Sequence, residues 1–163
     1  MFSPRIYQKA AANAAVQWLN HMDSPAIVVV PTGGGKSIII KMLAEHYAGL
    51  GKRVLILAHR KELLEQTGGK IKNLEVGYYS ASIGEKRLDC AITIAGIQSI
   101  AVAKDAPQYD VILLDECHLR SNNQEDETRY NKFLGTQENA KIAGFTATPY
   151  RLKGGAIEWG HVV

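Results

Sequence analysis

Residues 26–37 read AIVVVPTGGGKS: an unbroken apolar run passes through Pro31 and Thr32 into three glycines, Lys36 and Ser37. Five consecutive apolar residues, mostly β-branched, are typical of a strand that is covered on both faces of a sheet. Glycine loses more conformational entropy on folding than any other residue, so three in succession are a costly way to build a core. The stretch therefore predicts a buried strand followed by a loop in which side chains would be in the way.

The end of this stretch matches the last three residues of the phosphate-binding pattern GxxxxGK[ST], although the first position of the pattern is Val30 here. Backbone N–H groups of such a loop converge on phosphate oxygens, and the dipole of the following helix favours an anion. We expect Lys36 to contact the β- and γ-phosphates and the Ser37 hydroxyl to bind Mg²⁺. The predicted phosphate-loop residues are Thr32, Gly33, Gly34, Gly35, Lys36 and Ser37. Taken alone, the pattern leaves open a flexible turn without a ligand.

Further apolar runs along the chain predict the rest of the sheet. They begin at Val54, Ala91, Val111 and Lys141, and apolar residues at helical spacing recur over 11–22, 39–50 and, more weakly, 63–71. Strands that alternate with helices predict right-handed crossovers and an α/β fold, a three-layer sandwich with a mostly parallel central sheet. Ligands of such sheets bind beyond the carboxyl ends of the strands.

Composition sets broad limits on function. The 163 residues suffice for one domain, and the formal charge of +3 is too small to indicate nucleic acid by itself. The two cysteines, Cys90 and Cys117, have neither disulfide nor zinc spacing, which favours a reducing compartment. The apolar runs are far shorter than a membrane span. We expect a cytoplasmic protein without a membrane partner.

The run VILLDECHL, from Val111, places two carboxylates at the end of a predicted strand. Adjacent carboxylates repel each other unless a cation lies nearby. Beside a Mg²⁺-nucleotide, Asp115 can hold the metal, partly through water, and Glu116 can orient and deprotonate the attacking water. With Lys36, these are the predicted catalytic residues, and ATP with Mg²⁺ is the predicted cofactor pair.

PTGGGKS and DECH together resemble motifs I and II of superfamily 2 helicases and translocases. Other stretches match in the family's order: RIYQ from Arg5 resembles the adenine-sensing motif, AHRKELLEQ from Ala58 motif Ia, TIAGIQS from Thr93 a nucleic-acid-contacting segment, and GFTATPYR from Gly144 motif III. The combination is most similar to the DNA-directed branch with RadD-like proteins and restriction-enzyme motors (ResIII-type). It implies a RecA-like P-loop NTPase domain, with the GFTAT strand between the AIVVV and VILLD strands. RNA-directed DECH-box helicases are a poorer fit.

The resemblance also implies roles for residues outside the phosphate loop. Gln8 carries a donor and an acceptor that suit the adenine edge, with Arg5 and Tyr7 beside the base. The residues that the resemblance places against nucleic acid are Arg60, Thr93, Gln98 and Ser99. Those that it makes couplers between phosphate state and nucleic-acid grip are His118, Thr146 and Thr148. Contacts of this kind go to the backbone of DNA and read no sequence; local capping is the alternative for the polar residues.

The family's motor has two RecA-like domains, and the chain matches the first. We expect residues 1–150 to form RecA-like domain 1 and residues 151–163 to begin the linker to a second domain in cis. Motifs of that second domain, including its arginine finger, are absent from these residues, so the isolated domain is expected to be monomeric, to bind ATP and to hydrolyse it weakly. The alternative class is a nucleotide-binding interaction module without motor activity.

Overall fold

The computed structural model describes residues 3–58, 71, 74–118, 124–148 and 160–163. The helices in these ranges are α1 (Ile6–His21), α2 (Lys36–Gly49), α3 (Ile97–Ile100) and α4 (Gln124–Gly135). The strands are β1 (Ala26–Val29), β2 (Val54–Leu57), β3 (Val76–Ser80), β4 (Glu85–Lys86), β5 (Ile92–Ala95), β6 (Val111–Leu114), β7 (Lys141–Thr146) and β8 (His161–Val162).

The described strands form one eight-stranded sheet in the order β4-β3-β5-β2-β6-β7-β1-β8. Neighbouring strands are parallel except β3 and β4, which form an antiparallel pair at one edge. Strand β7 lies between β1 and β6, which confirms the predicted sheet order. The predicted fold class, an α/β fold with a mostly parallel RecA-like sheet, is also confirmed.

Successive residues of the central strands point to opposite faces, and each face is buried by helices. Val28 and Ile56 pack with α1 and α2 on one face. Ile27 and Leu55 pack with α3 and α4 on the other. Because both faces are apolar, the strands read as continuous hydrophobic runs instead of alternating ones. The result is the predicted three-layer sandwich.

Helix α2 follows the predicted apolar spacing, since Ile39, Leu43 and Tyr47 lie buried on its inner face. It ends at Gly49, and Gly51 takes a left-handed conformation (φ 76°) that suits the turn out of a helix. Trp18 of α1 packs partly against the core and donates from Nε1 to the carbonyl of Ser24 at 2.9 Å. The weaker helical pattern over 63–71 lies, except for Ile71, outside the described residues.

Three strands have no counterpart in the sequence prediction: β3, β4 and β8. Strand β8 pairs in parallel with β1, so residues 160–163 pack against the domain although they fall in the predicted linker. The boundary after residue 150 otherwise stays a prediction. None of the helices in the described ranges combines the length and apolar character that crossing a bilayer requires.

Candidate active site

The loop between β1 and α2 passes so close to its surroundings that two positions accept only glycine. Gly35 is left-handed (φ 79°), and a Cβ there would lie 2.4 Å from Nε2 of Gln8. A Cβ on Gly34 would lie 2.9 Å from the carbonyl oxygen of Pro31. Side chains at these positions would push the loop open. The glycine run therefore gives a tight loop whose backbone stays accessible.

Val30 stands where the phosphate-binding pattern has its first glycine. Its N–H donates to the carbonyl of Thr146 at 2.8 Å, so it extends the pairing of β1 with β7 by one residue. Its side chain is buried, and its Cγ1 would lie 2.9 Å from a Cβ on Gly34. Valine therefore fits at the first position of the pattern because Gly34, the residue that packs against it, has no side chain.

Several amides of the loop point at no protein acceptor. Among the described residues, the backbone N–H groups of Gly33, Gly35 and Lys36 donate no hydrogen bond. The first amides of a helix have no partner within the helix, and the dipole of α2 adds a favourable potential for an anion. A group of unpaired donors at a helix N-terminus is suited to bind phosphate oxygens.

The side chain of Lys36 lies against both carboxylates of the DECH stretch. Its Nζ is 3.1 Å from Oδ1 of Asp115 and also contacts Oε1 of Glu116. Strand β6 positions the carboxylates, since the N–H of Asp115 donates to the carbonyl of Leu57 at 2.8 Å. Residues that are 80 positions apart in sequence therefore meet at the carboxyl ends of β1 and β6.

Burial shapes the acid–base properties of this region. Burial raises the pKa of Asp115 above its ordinary value, and the Lys36 ammonium opposes that rise. Burial also raises the pKa of the neighbouring Cys117 thiol to about 12. Such a thiol stays protonated and unreactive near neutral pH, which agrees with a structural role for Cys117.

Glu116 has an unusual backbone conformation. Its φ is 49°, and among the described residues it is the one non-glycine residue with a positive φ. A left-handed conformation costs a residue with a Cβ about 1 to 2 kcal/mol. The N–H of Glu116 donates to Oδ1 of Asp115 at 3.0 Å, which holds the turn. Strain of this kind is found at functional sites, where the surrounding contacts maintain it.

His118, Thr146 and Thr148, the three predicted couplers, are in contact. Nδ1 of His118 lies 2.9 Å from Oγ1 of Thr146 and 3.4 Å from Oε2 of Glu116. The Thr146 hydroxyl donates to the Thr148 carbonyl at 2.8 Å, so its oxygen is left to accept. Nδ1 of His118 is then the donor, and the tautomer with the proton on Nδ1 satisfies both neighbours. This network joins the end of β6 to the end of β7.

Gln8, the predicted adenine contact, is bound to the phosphate loop. The side chain is 2% exposed; its Oε1 accepts from the N–H of Arg5 at 2.8 Å, and its Nε2 donates to the carbonyl of Gly34 at 3.0 Å. The Tyr7 hydroxyl donates to the same carbonyl at 2.8 Å. Tyr7 and Gln8 therefore contact the loop, and contact of Arg5, Tyr7 and Gln8 with a base stays a prediction.

The residues predicted to touch nucleic acid have different environments. Gln98 is exposed on α3, and the hydroxyl of Ser99 accepts from the N–H of Ala81 at 3.1 Å. Thr93 is fully buried inside β5, so it lacks the exposed side chain that its predicted contact requires. Arg60 lies outside the described residues. The sequence therefore located two accessible polar side chains and one buried hydroxyl.

Gln98 and Ser99 line a cavity of about 260 Å³ at the carboxyl ends of β2, β3 and β5. Sequence reasoning missed the two hydroxyl residues that complete it, Ser80 and Ser82, whose oxygens lie 2.8 Å apart. The signal for them was the run VGYYSASIG, in which a strand-like stretch with two tyrosines meets a turn with small residues and glycine. The remaining wall is formed by Ala58, Ala81, Gly96 and Ile97.

Comparison with known proteins gives a consistent set of matches. The family model described as the res subunit of type III restriction enzymes matches residues 1–151. A type I restriction enzyme endonuclease subunit (EcoAI) of Escherichia coli is 31% identical over 90% of this chain and 19% of its own length. The chain spans about a fifth to a quarter of the length of the curated relatives it matches.

Solved structures with the same fold include a helicase and an ATPase core. The UvsW helicase of bacteriophage T4 matches with a TM-score of 0.74 and 18% identity, over 99% of this chain and 60% of that chain. The SWI2/SNF2 ATPase core of Sulfolobus solfataricus, solved in complex with double-stranded DNA, matches with a TM-score of 0.71 and 13% identity, over 91% and 32%. At these identities, the likeness establishes the fold.

Proposed function

Because this chain belongs to the family of the res subunit of type III restriction enzymes, we propose that it is the ATP-binding motor domain of an ATP-dependent DNA helicase or translocase. The predicted membership of superfamily 2 is confirmed by this family and by the fold of its structural relatives. One observation carries the proposal: the P-loop lysine and both DECH carboxylates meet beside a loop of unpaired amides. A module that only binds nucleotide has no need of the second carboxylate.

In the proposed reaction, the amides of the loop and the Lys36 ammonium bind the phosphates of ATP. The Ser37 hydroxyl and the Asp115 carboxylate would hold Mg²⁺, which supplies charge neutralisation at the phosphates when bound. These hard oxygen donors fit Mg²⁺, and within the described ranges no three His, Cys, Asp or Glu side chains cluster to hold a metal alone. That is the pattern expected when phosphate oxygens complete the coordination.

Glu116 is proposed as the general base. Its carboxylate lies at the end of β6, where it would orient the attacking water and accept a proton from it. The hydrogen bond from its own N–H to Asp115 fixes the turn, so the carboxylate is positioned by the backbone rather than by a flexible loop. His118 contacts both Glu116 and Thr146. We propose that this network, with Thr148, couples the state of the phosphates to the grip on nucleic acid.

ATP is the proposed nucleotide, with Gln8 reading the adenine edge. The two donor contacts at the Gly34 carbonyl come from Tyr7 and Gln8, so the same side chain that would meet the base also touches the phosphate loop. Binding of a base would then require the Gln8 amide either to break its hydrogen bond with the Gly34 carbonyl or to contact the base while keeping that bond. Arg5 would flank the base beside Tyr7.

DNA is the proposed polymer. Support comes from the structural relatives, a helicase and an ATPase core solved with double-stranded DNA. Gln98 presents an amide and Ser99 a hydroxyl at the carboxyl edge of the sheet. Such groups can bind phosphate oxygens, and contacts with phosphates carry no sequence information. Arg60 belongs to the same proposal, whereas Thr93 is fully buried and is not proposed to contact DNA. The proposed motor also contains a second RecA-like domain in cis. We further propose that the isolated domain is monomeric and that the protein is cytoplasmic.

A Glu116→Gln variant tests the reaction. The amide keeps the size of the side chain but cannot accept a proton, so we expect Mg²⁺-ATP binding to persist while single-turnover hydrolysis falls about 100-fold or more. Glu138→Gln, an exposed glutamate after α4, is the matched control and should match the unmodified chain. Unchanged turnover in Glu116→Gln would refute the general-base role. Binding is measured with a fluorescent ADP analogue and hydrolysis with labelled ATP.

The same assay separates the alternative functions. Residues 1–163 alone are expected to hydrolyse slowly, about 10³-fold or more below the rate with an arginine finger supplied by a second domain. With that domain fused, single- or double-stranded DNA should raise the turnover. Stimulation by RNA alone would favour an RNA-directed helicase. Binding of nucleotide without turnover in any of these mixtures would favour an interaction module.

A further inference from the structure

A small cavity lies between the segment that follows α3 and the end of α4, on the face of the sheet that these helices cover. Its volume is about 160 Å³, and Ile100 and Phe133 are among its buried lining residues. Ala103 and Ala106 contribute further apolar surface. None of the lining residues belongs to the phosphate loop, to the DECH stretch or to the cavity that Gln98 lines. The cavity is therefore separate from the sites proposed for ATP and DNA.

Hydrogen bonds hold the two walls of this cavity together. The Gln137 side chain, which is 4% exposed, accepts from the N–H of Tyr109 at 2.9 Å and donates to Oγ1 of Thr136 at 3.3 Å. Nε2 of Gln108 donates to the carbonyl of Thr136 at 2.8 Å. These bonds join the end of α4 to the residues ahead of β6. The cavity is therefore preformed, and a ligand would not have to order its walls.

Two lysines line the cavity, one from each wall. Lys104 lies on the segment after α3 and Lys132 in the last turn of α4, and both side chains are exposed. Within the part of the chain that the structure describes, neither ammonium makes an ion pair or a hydrogen bond. The dipole of α4 favours a cation at the position of Lys132, but it gives no reason for Lys104. The cavity therefore carries two positive charges that no described carboxylate neutralises.

Size and charge together narrow the class of ligand. Pockets for small organic ligands usually measure about 300 to 1,000 Å³, whereas a cavity of about 160 Å³ suits a single apolar side chain. Two lysines are few for a nucleic acid, whose affinity depends on neutralising many phosphates, and the exposed Asp105 directly follows Lys104. A peptide that carries one apolar residue between carboxylates matches both the apolar lining and the charge.

We propose that this cavity is a docking site for an acidic segment of a partner protein. One apolar side chain of the segment, about the size of leucine, inserts against Ile100 and Phe133, and carboxylates on either side of it pair with Lys104 and Lys132. Buried anchors of this kind supply most of the affinity of an interface, while charge pairs at its exposed rim favour the right partner and speed its association. Because the cavity is separate from the phosphate loop, the partner can bind while ATP and DNA are bound. The inference goes beyond the proposed motor function and does not depend on it.

The test titrates the ¹⁵N-labelled chain with a synthetic peptide and follows the amide shifts by NMR. In this peptide, which is acetylated and amidated, one leucine is flanked by two glutamates on each side. We expect saturable shifts confined to residues 97–109 and 130–137, with a dissociation constant of about 1 mM, since one anchor and two exposed ion pairs give modest affinity. A peptide with glycine in place of leucine, and one with glutamine in place of each glutamate, should each bind about threefold or more weakly.

Variants of the chain separate the charges from the anchor. Reversing both lysines, by Lys104→Glu with Lys132→Glu, should weaken binding of the leucine peptide about fivefold or more. Lys9→Glu is the matched control: Lys9 is an exposed lysine of α1, which packs on the opposite face of the sheet, so the affinity should stay within about twofold. Ala103→Leu keeps both lysines but fills the cavity, and it should weaken binding about threefold or more.

Three results would overturn the inference. The first is the absence of shifts at residues 97–109 and 130–137 with up to about 10 mM peptide. The second is equal affinity of the leucine and glycine peptides, or of the charge-reversed and unmodified chains. The third is a short single-stranded DNA that shifts the same amides at lower concentration than the peptide does, which would make this surface part of a nucleic-acid path. If Ala103→Leu fails to fold by circular dichroism, the glycine peptide decides the role of the anchor.

Discussion

The environment of Asp115 indicates that this buried carboxylate serves to bind a ligand. It is almost fully buried at the end of β6, and burial raises its pKa despite the ammonium beside it. The charge is therefore a net cost to folding, which a neutral side chain of the same shape would avoid. A carboxylate kept in such a place is best explained by a ligand that needs it.

An Asp115→Asn variant tests this cost through its dependence on pH. A folded-state pKa above the unfolded value means that the contribution of Asp115 to stability is present below the unfolded pKa and is lost as pH rises through the folded pKa. Asparagine does not titrate in this range. We therefore expect Asp115→Asn to melt at a higher temperature than the unmodified chain at pH 8, with the difference shrinking toward pH 4, while Mg²⁺-dependent nucleotide binding is lost.

Asp110 provides a control of opposite sign at the other end of the same strand. The N–H of Arg53 donates to its carboxylate at 2.8 Å, and this hydrogen bond, with Lys52 nearby, lowers the pKa of Asp110. Stability from a lowered pKa is present above the unfolded pKa and is lost as pH falls through the folded one. Asp110→Asn should therefore lower the melting temperature at pH 8. The account would be contradicted if thermal scans at pH 8 showed the melting temperatures of both variants shifting in the same direction.

At the residue scale, the specific spacing and strand context of Lys36, Asp115 and Glu116 predicted that they meet, and the structure brings their side chains into contact. It could not tell that Thr93 points into the core, since alternate residues of a strand covered on both faces are equally apolar in pattern. It also gave no sign that Gln8 bonds the Gly34 carbonyl. That contact depends on how α1 packs beside the loop, which is tertiary information.

Among the elements, the loop between β1 and α2 depends most on its residue types. Gly35→Ala would place a methyl group 2.4 Å from Nε2 of Gln8 in a left-handed backbone. The conformation alone costs about 1 to 2 kcal/mol, and the overlap adds to it. We expect a loss of about 2 kcal/mol or more in the free energy of unfolding by urea titration, together with weaker ADP binding.

Gly49→Ala, at the end of the helix that follows this loop, is the matched substitution. A Cβ at Gly49 would meet nothing within 4 Å, and its φ is not positive. Alanine has the higher helix propensity, so this variant should be neutral or more stable by about 0.5 kcal/mol. A Gly35→Ala variant as stable as Gly49→Ala would show that the loop rearranges freely, and the argument for its fixed shape would fail.

Element prediction succeeded where hydrophobic runs were long and unbroken. Strands β1, β2, β5, β6 and β7 coincide with the five apolar runs, and α2 (Lys36–Gly49) covers nearly all of the helical spacing predicted over 39–50. Strands β3 and β4 lie at an edge of the sheet, where burial is partial and the apolar signal is correspondingly weak. Strand β8 is two exposed residues long, too short for any periodicity to register.

In the whole molecule, the order of the strands in the sheet brings residues that are distant in sequence together at one site. Lys36 follows β1 and Asp115 follows β6, and these two strands are separated by β7 alone. The rule that ligands gather at the carboxyl ends of parallel strands predicts the edge of the sheet but not which strands are neighbours. The resemblance to RecA-like sheets supplied that order, which the pairing of β7 with both β1 and β6 confirms.

The same sheet order makes β8 the outer neighbour of the strand that carries the phosphate loop. Beyond the ladder itself, the N–H of His161 donates to the Pro25 carbonyl at 2.9 Å and that of Val163 to the Ile27 carbonyl at 3.0 Å. The ring of His161 also lies 5.3 Å from that of Trp18. Deleting residues 160–163 should therefore lower the free energy of unfolding by about 1 to 3 kcal/mol, at 0.5 to 1.5 kcal/mol for each lost hydrogen bond.

That loss corresponds to a fall of about 3 to 10 °C in melting temperature for a domain of this size. Val162→Ala is the control: its side chain is 64% exposed and its backbone pairing is unchanged, so its stability should stay within about 0.5 kcal/mol. Affinity for ADP, measured well below the melting temperature, should change little in the deletion variant because β7 still supports β1 on the side of the carboxylates. A deletion variant that melts with the unmodified chain would mean that β8 adds nothing to the sheet and that residues 160–163 serve only as a connection.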